Sequence, residues 1–502
     1  MTNPAGINLN GQLRWKAASA DEKKLLENLQ GNILKGHGRD RTWNIFFELD
    51  KNNPAKAKRA LREIGNRFVT NAHSQLVKAE KFKTDKKDGG SFCGLLVSFA
   101  GYKALGMTFP DIDGNTAFKP GMKNPTHGKK LADPEVNAWE THFQKTLDGM
   151  VLVGDDDVAR GSALVMQIIE ILTDAGSIIH HVQQGKAIRN RAGHGLEHFG
   201  YVDGRSQPLM LEEDIENEAE LDGIAHWDPA FPLSTVLVAD LLAMDSRREN
   251  QGKTDPFAFG SFFVFRKLEQ RVRDFKSKEQ HLADALHLKG DDRERAGALI
   301  VGRFEDGTPV TLSSEPVETD NPRNDFGYLG DKLGARCPFH AHIRKTNPRN
   351  TGGLEDSTPE RRHIMARRGI TYEDKARAIH PDGLPESSST AEFDKKVKLQ
   401  LPEDGVGLLF MAYNARLDDQ FVFTQEQWAN NVNFPKSGQP GLVPGIDPVI
   451  GQSRDAVPQL QPYPKEWDNI AGGSVNFDMQ KSVIMKGGEY FFAPSLAFLQ
   501  NL

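Results

Sequence analysis

The residues best suited to chemistry lie in one short segment, residues 337–349. This segment places the imidazole of His342 inside an apolar run and follows it with three cations, Arg344, Lys345 and Arg349. An iron porphyrin requires this combination, because a neutral imidazole binds the metal, apolar side chains contact the macrocycle and cations neutralise its carboxylates. A histidine between apolar residues is more often a hydrogen-bonded core residue than a metal ligand. The segment predicts a cofactor site only if the chain also supplies a second, reactive side.

A second segment, residues 197–208, offers such a reactive side. It presents the carboxyl group of Asp203 in an aromatic-rich loop between Gly200 and Gly204. Most Asp-Gly pairs are simple turns. The two glycines, however, allow the backbone to approach a flat ligand closely, and an apolar setting raises the pKa of a carboxyl group. A carboxyl group tuned in this way can accept a proton and return it, as cleavage of a peroxide requires.

The composition indicates a globular protein without a nucleic-acid or membrane partner. A chain of 502 residues is long for a single hydrophobic core and predicts two domains. The net charge of −6, from 69 acidic and 63 basic residues, gives no reason to expect nucleic acid or an anionic membrane. No stretch approaches the ~18 uninterrupted apolar residues of a membrane span. The N-terminus lacks a basic region followed by an apolar core, which predicts a cytoplasmic location.

The cysteine content argues against several metal sites. Cys93 and Cys337 are the only cysteines, and neither has the spacing of a zinc site, an iron–sulfur cluster or a covalent haem attachment.

The hydrophobic pattern indicates two halves of similar construction. Each half begins with a strand rich in aromatic and β-branched residues, at 43–49 and 260–266, followed by a segment of helical periodicity, at 53–68 and 268–288. Further strands are predicted at 93–99, 151–153 and 405–413, and further helices at 291–301 and 418–428, while 163–172 fits either a helix or a strand. Strand–helix–strand units with antiparallel returns predict an α+β protein of two ferredoxin-like domains, residues 1–225 and 226–502, with a linker within 213–232.

The two chemical segments resemble the motifs of one family. Residues 200–204 (Gly-Tyr-Val-Asp-Gly) are similar to the GxxDG signature of the dye-decolourising peroxidases, and residues 341–345 resemble the segment that carries their proximal histidine. Residues 29–39, 260–266 and 407–410 also resemble family segments, and the match covers most of residues 25–495 in order. The long loops are closest to the larger subgroup of bacterial and fungal members. The resemblance implies two ferredoxin-like domains of the dimeric α+β barrel superfold, with haem b bound on the C-terminal side.

The resemblance also assigns roles to three residues. His342 is expected to be the axial ligand of the haem iron, with His340 as the alternative, and Asp203 is expected to be the distal acid–base residue. Arg367 is expected to be the distal arginine, with Arg368 as the alternative, because Ile364 and Arg367 are three residues apart and could share a helix face. Without the family match, a solvated basic run would explain these arginines about as well.

Other positions carry weaker predictions. Leu408 and Phe410, two apart on a strand, are expected to point together over the haem, although ordinary core packing explains them nearly as well. Arg344 and Arg205 are candidate partners of the haem propionates. Asp418 or Asp419 is a candidate hydrogen-bond partner for the second nitrogen of the axial histidine.

The resulting interpretation is a haem peroxidase. Hydrogen peroxide would be the oxidant, and phenols and bulky anthraquinone dyes would give up one electron at a time, directly or through surface aromatic residues, for which Trp428, Tyr413 and Trp43 are candidates. Two other classes remain open. A protein that binds or delivers haem or iron would need His342 but not Asp203 or Arg367, and a haem-free ferredoxin-like binding module would need none of them.

Overall fold

Eight long strands form the centre of the molecule. The computed structural model describes residues 6–245, 252–317, 319–351, 360–385, 387–436, 441–453, 458–479 and 481–502. The eight strands are β1 (Arg41–Glu48), β2 (Phe92–Ser98), β3 (Gly149–Gly154), β4 (Ile178–Lys186), β5 (Phe259–Gln270), β6 (Ile370–Glu373), β7 (Val406–Asn414) and β8 (Val483–Ala493). They form one antiparallel sheet in the order β6-β7-β5-β8-β2-β3-β1-β4. Two-residue strands at Val238–Ala239 and Ala366–Arg367 pair with β5 and β7.

Each half of this sheet has ferredoxin-like topology. Strands β1 to β4 of the N-terminal half occur in the order β4-β1-β3-β2, and the four later strands occur in the equivalent order β6-β7-β5-β8, with the first strand of each half at an inner position. The halves join where β8 pairs with β2 through Phe491 and Phe492. The predicted α+β class with two ferredoxin-like halves is therefore confirmed.

Helices cover the faces of the sheet. The apolar residues of the helices pack on the sheet, and the strands are therefore buried along nearly their whole length. The helices are α1 (Ala20–Asn28), α2 (Pro54–Arg67), α3 (Ala72–Asp85), α4 (Phe99–Ala104), α5 (Pro125–Leu131), α6 (Val158–Asp174), α7 (Glu212–Leu221), α8 (Val272–Ala285), α9 (Glu294–Val301), α10 (His342–Thr346), α11 (Thr390–Lys396) and α12 (Leu496–Gln500). No helix among these described residues is long and apolar enough to cross a membrane.

Two segments differ from the sequence-based expectation. The predicted linker contains α7, whose acidic side chains are bound by Arg14 and Lys35 of the N-terminal segment. The predicted helix at 418–428 consists of two π-helical segments, Asp418–Val422 and Thr424–Ala429. Such wide turns are rare and frequently lie at functional sites.

A buried lysine and its carboxylate partner connect the two halves of the sheet. Lys267 of β5 is 2% exposed in its side chain and pairs with Glu140 at 2.9 Å and with Asp374, just after β6, at 2.6 Å. Gln183 of β4 donates to the same Asp374 carboxylate at 3.0 Å. One carboxylate thus contacts both β4 and β5 across the two halves of the protein.

The variant K267M is expected to lower the free energy of unfolding by about 2–3 kcal/mol, since breaking a buried pair costs roughly 3–5 kcal/mol and both carboxylates here are partly hydrated. The control is K186M, because Lys186 pairs with Glu373 at 3.1 Å but has 49% of its side chain exposed. That variant should cost less than about 1 kcal/mol. Chemical denaturation measures the free energy of unfolding of both variants. Equal losses in K267M and K186M would refute the stabilising role of the buried Lys267.

Candidate active site

A cavity lies between the two halves of the protein, next to the segment that carries the basic run. It is partly open to solvent. Its walls come from the 197–208 loop, β5, α10, the strand at Ala366–Arg367, β7 and the first π-helical segment.

His342 lines this cavity at the first position of α10. Its Nδ1 atom lies 2.9 Å from Oδ2 of Asp447, whose side chain is completely buried. The other Asp447 oxygen accepts the backbone N–H groups of Val449 and Ile450 at 2.8 and 2.9 Å. These contacts fix the carboxylate and occupy Nδ1 of the imidazole, which leaves Nε2 as the ring nitrogen available to a ligand.

The charges of this pair support each other. Burial alone lowers the pKa of His342, but the charge of Asp447 and its hydrogen bond raise that pKa overall. Burial also acts to raise the pKa of Asp447, but the attraction of His342 and the hydrogen bonds hold it below its usual value. The carboxylate is therefore ionised and accepts a hydrogen bond from the Nδ1–H group, which makes the ring a stronger electron donor.

Asp418 and Asp419, predicted as candidates for this contact, lie elsewhere. Asp418 accepts hydrogen bonds from the backbone of Thr116 and Ala117, and Asp419 pairs with Arg416 at 2.5 Å. Both carboxylates lie at the start of the first π-helical segment and bind other groups there. The prediction that one of them binds the axial histidine was therefore wrong.

The alternative histidine and one predicted cation also lie away from the cavity. His340 is completely buried and packs edge-on against Tyr463, with 4.5 Å between ring centroids. Arg344 is completely buried as well, and its guanidinium donates to Asp331 Oδ2 at 2.9 Å and to the Cys337 carbonyl. Neither residue lines the cavity. The prediction that Arg344 binds a propionate is corrected, because its donors are already used inside the protein.

Asp203 lines the cavity from the glycine-framed loop. Gly200 and Gly204 have φ values of +108° and +80°, a conformation that favours glycine. The Gly204 N–H donates to Asp203 Oδ1 at 2.6 Å, and the Asp203 N–H donates to the Gly195 carbonyl at 2.9 Å. Its side chain is 37% exposed, so Asp203 is not the desolvated carboxyl that its aromatic neighbours predicted.

Glu197 is the second carboxyl group of this loop. It also lines the cavity, and it accepts the backbone N–H groups of Phe199 and Tyr201 at 2.8 and 2.9 Å. Gln270 of β5 donates to the same carboxylate. Burial raises the pKa of Glu197 to about 7, with a smaller contribution from the charge of Asp203. This side chain therefore organises the loop from which Asp203 projects.

Arg367 lies beside Asp203. Its Nη1 atom is 3.3 Å from Asp203 Oδ1, and its Nη2 atom donates to the Ser206 carbonyl at 3.0 Å. Its backbone forms a strand pair with Ala412 rather than a helix, so the argument from a shared helix face with Ile364 does not hold, although both side chains line the cavity. Sheet pairing, not helical spacing, directs this arginine.

Arg368, the alternative, faces away from the cavity. It is bound to the Asn32 and Ile33 carbonyls at 2.8 and 2.9 Å, and burial lowers its pKa to about 10. The structure thus brings Arg367, and not Arg368, to Asp203.

One end of the cavity is cationic. Arg349 and Arg303 line it, are 3% and 4% exposed, and have only neutral hydrogen-bond acceptors among the described residues. Burial lowers the pKa of Arg349 to about 10, and burial together with the charge of Arg349 lowers that of Arg303 to about 9. Two buried cations without a carboxylate are costly, so this end favours an anionic ligand.

Unsatisfied donors point to the same end. The indole N–H of Trp227 and the hydroxyl group of Tyr328 line the cavity, are buried and have no hydrogen-bond partner in the described part of the chain. Buried polar groups are normally hydrogen-bonded, so these two donors indicate that a ligand supplies acceptors here. Arg205 also lines the cavity, but its Nη1 atom pairs with Glu218 at 2.8 Å.

Leu408 and Phe410 line the cavity from β7 as expected. Both are half-buried, while Leu409 between them is completely buried in the core, which is the alternation of a strand with one face on a cavity. Trp428, Tyr413 and Trp43, the candidate surface aromatics, are instead 1%, 3% and 6% exposed. None of the three presents a ring to a bulky donor at the surface.

Comparison with known proteins identifies the family. Residues 28–189 match a family model described as the DyP dimeric alpha+beta barrel domain. The chain is 44% identical over 497 residues to the multifunctional dye peroxidase DyP2 of Amycolatopsis sp., covering 99% of this chain and 100% of that protein. The chain belongs to the dye-decolourising peroxidase family. Members of this family are haem enzymes, so the protein is a haem-dependent peroxidase.

Solved structures of the dye-decolourising peroxidases agree with this assignment. The structure of the Amycolatopsis enzyme superposes with a TM-score of 0.88 at 43% identity, covering 99% of this chain and 100% of that chain. A DyP-type peroxidase of Anabaena sp. superposes with a TM-score of 0.85 at 34% identity, covering 98% of both chains. A dye-decolourising peroxidase in complex with 2,6-dimethoxyphenol has a TM-score of 0.71 at 28% identity, covering 95% of this chain and 98% of that chain.

Several residues of the site have no clear signal in the sequence. Asp447 follows His342 by 105 positions, inside a loop rich in proline and glycine. Trp227, Arg303 and Tyr328 are likewise brought in by the fold alone. Arg349 is visible in the sequence as part of the basic run, but the run does not reveal which of its cations faces the cavity.

The raised pKa of Glu197 predicts a pH dependence of stability. Its pKa is about 7 in the folded protein against an ordinary value of 4.5, so ionisation favours the unfolded chain. The protonated Glu197 contributes up to about 3 kcal/mol to the free energy of unfolding of the cofactor-free protein. This contribution is fully present below pH 4.5 and is lost as the pH rises through about 7. E197Q should remove that decline, as measured by urea denaturation between pH 5 and pH 8. Burial also raises the pKa of Glu294 to about 7, so E197Q/E294Q should flatten the profile further. An unchanged slope in E197Q would contradict the assignment.

Proposed function

We propose that the chain uses hydrogen peroxide to oxidise phenols and bulky dyes in one-electron steps, with haem b held by His342 and peroxide cleavage assisted by Asp203 and Arg367. The observation that carries this proposal is the placement of all three side chains around one cavity whose other end is cationic. The bound haem supplies the iron that binds peroxide and the redox capacity that is passed on to the donor.

The residues present fit a haem in three respects. His342 offers one free ring nitrogen, because Asp447 holds the other. Leu408, Phe410 and Phe421 supply apolar contacts for the macrocycle. Arg349 and Arg303, with the unsatisfied donors of Trp227 and Tyr328, match the two carboxylates at one edge of haem b.

Asp203 and Arg367 suit the proton transfer and the charge stabilisation. Asp203 is placed to take a proton from the inner oxygen of peroxide and to return it to the outer oxygen, which then leaves as water. The guanidinium of Arg367 stabilises the negative charge that develops on the breaking O–O bond. Its bond to the Ser206 carbonyl and its pairing with Asp203 keep this cation in place before peroxide arrives.

The cavity that Asp203 shares with Leu408 and Phe410 is partly open to solvent, which gives peroxide and small donors access to it. The relative solved with 2,6-dimethoxyphenol binds a phenol, and by analogy phenols are expected donors for this chain.

Replacement of His342 tests the ligation. H342A is expected to lose the Soret band of the haem-loaded protein, or to shift it strongly. Among the described residues, only His342 and His363 line the cavity with an imidazole. The matched control is H340A, which removes a buried imidazole two residues away and should keep the band. An absorption spectrum decides, and an unchanged spectrum for H342A would exclude His342 as the ligand.

Replacement of the distal pair tests the chemistry. R367L and D203N are each expected to slow the reaction with hydrogen peroxide by orders of magnitude, since each removes a group that acts on the breaking bond. R368L is the control, because Arg368 binds the Asn32 and Ile33 carbonyls and should affect stability but not the rate. Stopped-flow absorption measures all three rates. Wild-type rates in both R367L and D203N would leave a haem-handling protein as the better account.

A further inference from the structure

The second cation of the basic run, Lys345, is buried and bonded to neutral groups in the described part of the chain. It is 0% exposed, and its ammonium group donates to the carbonyls of Asn431 and Gly445, each at 2.7 Å. No carboxylate lies within ion-pair distance of it among the described residues. Burial lowers its pKa to about 7, against a smaller, opposing effect of Asp447. A buried ammonium group bound only to neutral carbonyls costs free energy that local packing does not explain.

The two carbonyls belong to the segment that carries Asp447 and to the segment paired with it. Gly445 precedes Asp447 by two residues, and its N–H donates to the Val432 carbonyl at 2.9 Å. Asn431 follows Ala429 by two residues, and the Ala429 carbonyl accepts the N–H of Asp447 at 2.8 Å. Lys345 therefore binds both the segment of Asp447 and the segment to which the Asp447 backbone is bonded.

Lys345 and His342 project from the same short helix. They are three residues apart on α10, a spacing that places two side chains on neighbouring parts of one helix face. Helix α10 thus carries the imidazole of His342 and, one turn later, the lysine that binds the segments around Asp447.

We propose that Lys345 is a positioning residue that keeps Asp447 in hydrogen-bond reach of His342 and thereby sets the electron donation of the axial imidazole. The proposal rests on the proposed function, in which His342 binds the haem iron. A firmly held carboxylate draws the Nδ1 proton, strengthens the imidazole as a ligand and favours ferric iron. If the segments move away, the imidazole donates less and the ferric–ferrous midpoint potential becomes more positive.

The test compares midpoint potentials of the haem-loaded full-length protein, measured by spectroelectrochemistry at pH 5.5, where the Lys345 ammonium is charged. K345M is expected to shift the potential in the positive direction, the same direction as D447N. In the double variant K345M/D447N, the lysine substitution should add little, because it acts through the carboxylate that is already gone.

R344M is the matched control. It also removes a buried cation from α10, but Arg344 binds Asp331 and the Cys337 carbonyl rather than the segments of Asp447. Its potential should equal that of the wild type even if its melting temperature falls. K345Q, which keeps an N–H donor of similar reach, should shift the potential less than K345M and serves if K345M does not fold.

Three results would overturn the proposal. These are a wild-type potential in K345M with only a loss of thermal stability, an equal shift in R344M, and fully additive shifts in the double variant. The iron–imidazole stretching frequency, read by resonance Raman spectroscopy, should fall in K345M and provides a second measure. If H342A keeps the wild-type spectrum, the proposed function fails first. If H342A loses the spectrum while K345M behaves as wild type, only the role of Lys345 fails.

Discussion

The hydrogen bond between His342 and the buried carboxylate of Asp447 is the interaction on which the site depends. It joins a five-residue helix to a loop 105 positions later, and it decides which nitrogen of the imidazole faces the cavity. A helix of five residues is too short to be stable by itself. Its orientation at the site comes from two side-chain contacts, Asp447 for His342 and the Asn431 and Gly445 carbonyls for Lys345. Arg344 binds Asp331 instead, away from the segments around Asp447.

The site also needs a reactive pair, Asp203 and Arg367, and the fold brings these two residues together from distant segments. Asp203 comes from a loop shaped by two glycines and by the carboxyl group of Glu197, whereas Arg367 comes from a two-residue strand that pairs with β7. Their contact at 3.3 Å depends on the continuous sheet that fixes the two ferredoxin-like halves relative to each other. Local flexibility of the loop is restricted because its backbone N–H groups are bound inside the protein.

The sequence predicted the parts of this structure that follow from local patterns. The strands at 41–48, 92–98 and 259–270 and the helix at 54–67 follow from β-branched and aromatic runs and from helical spacing. The loop at 200–204 was recognisable from its resemblance to the GxxDG signature, and its two glycines adopt positive φ values. Arg367 was selected for a helical spacing that the structure does not contain, and its position in the cavity follows from sheet pairing.

Residues that converge only in three dimensions were beyond this reasoning. Asp418 and Asp419 resembled a helix start near the site, but the partner of His342 is Asp447, in a loop without periodicity. The basic run showed three cations after the histidine, and only packing separates them. Arg344 is consumed by Asp331, Lys345 by backbone carbonyls, and Arg349 alone reaches the cavity. Charge in a sequence indicates that an ammonium or guanidinium group exists, not which group it meets.

The central claim is that haem bound in this cavity reacts with peroxide under the control of the chain's own side chains. The most direct measurement is rapid mixing of the haem-loaded wild-type protein with one equivalent of hydrogen peroxide, followed by absorption in the Soret region. We expect the ferric Soret band to be replaced quickly by that of an oxidised haem, and to return when a phenol is added. Haem-replete protein without a Soret band, or a band that peroxide leaves unchanged, would contradict the account.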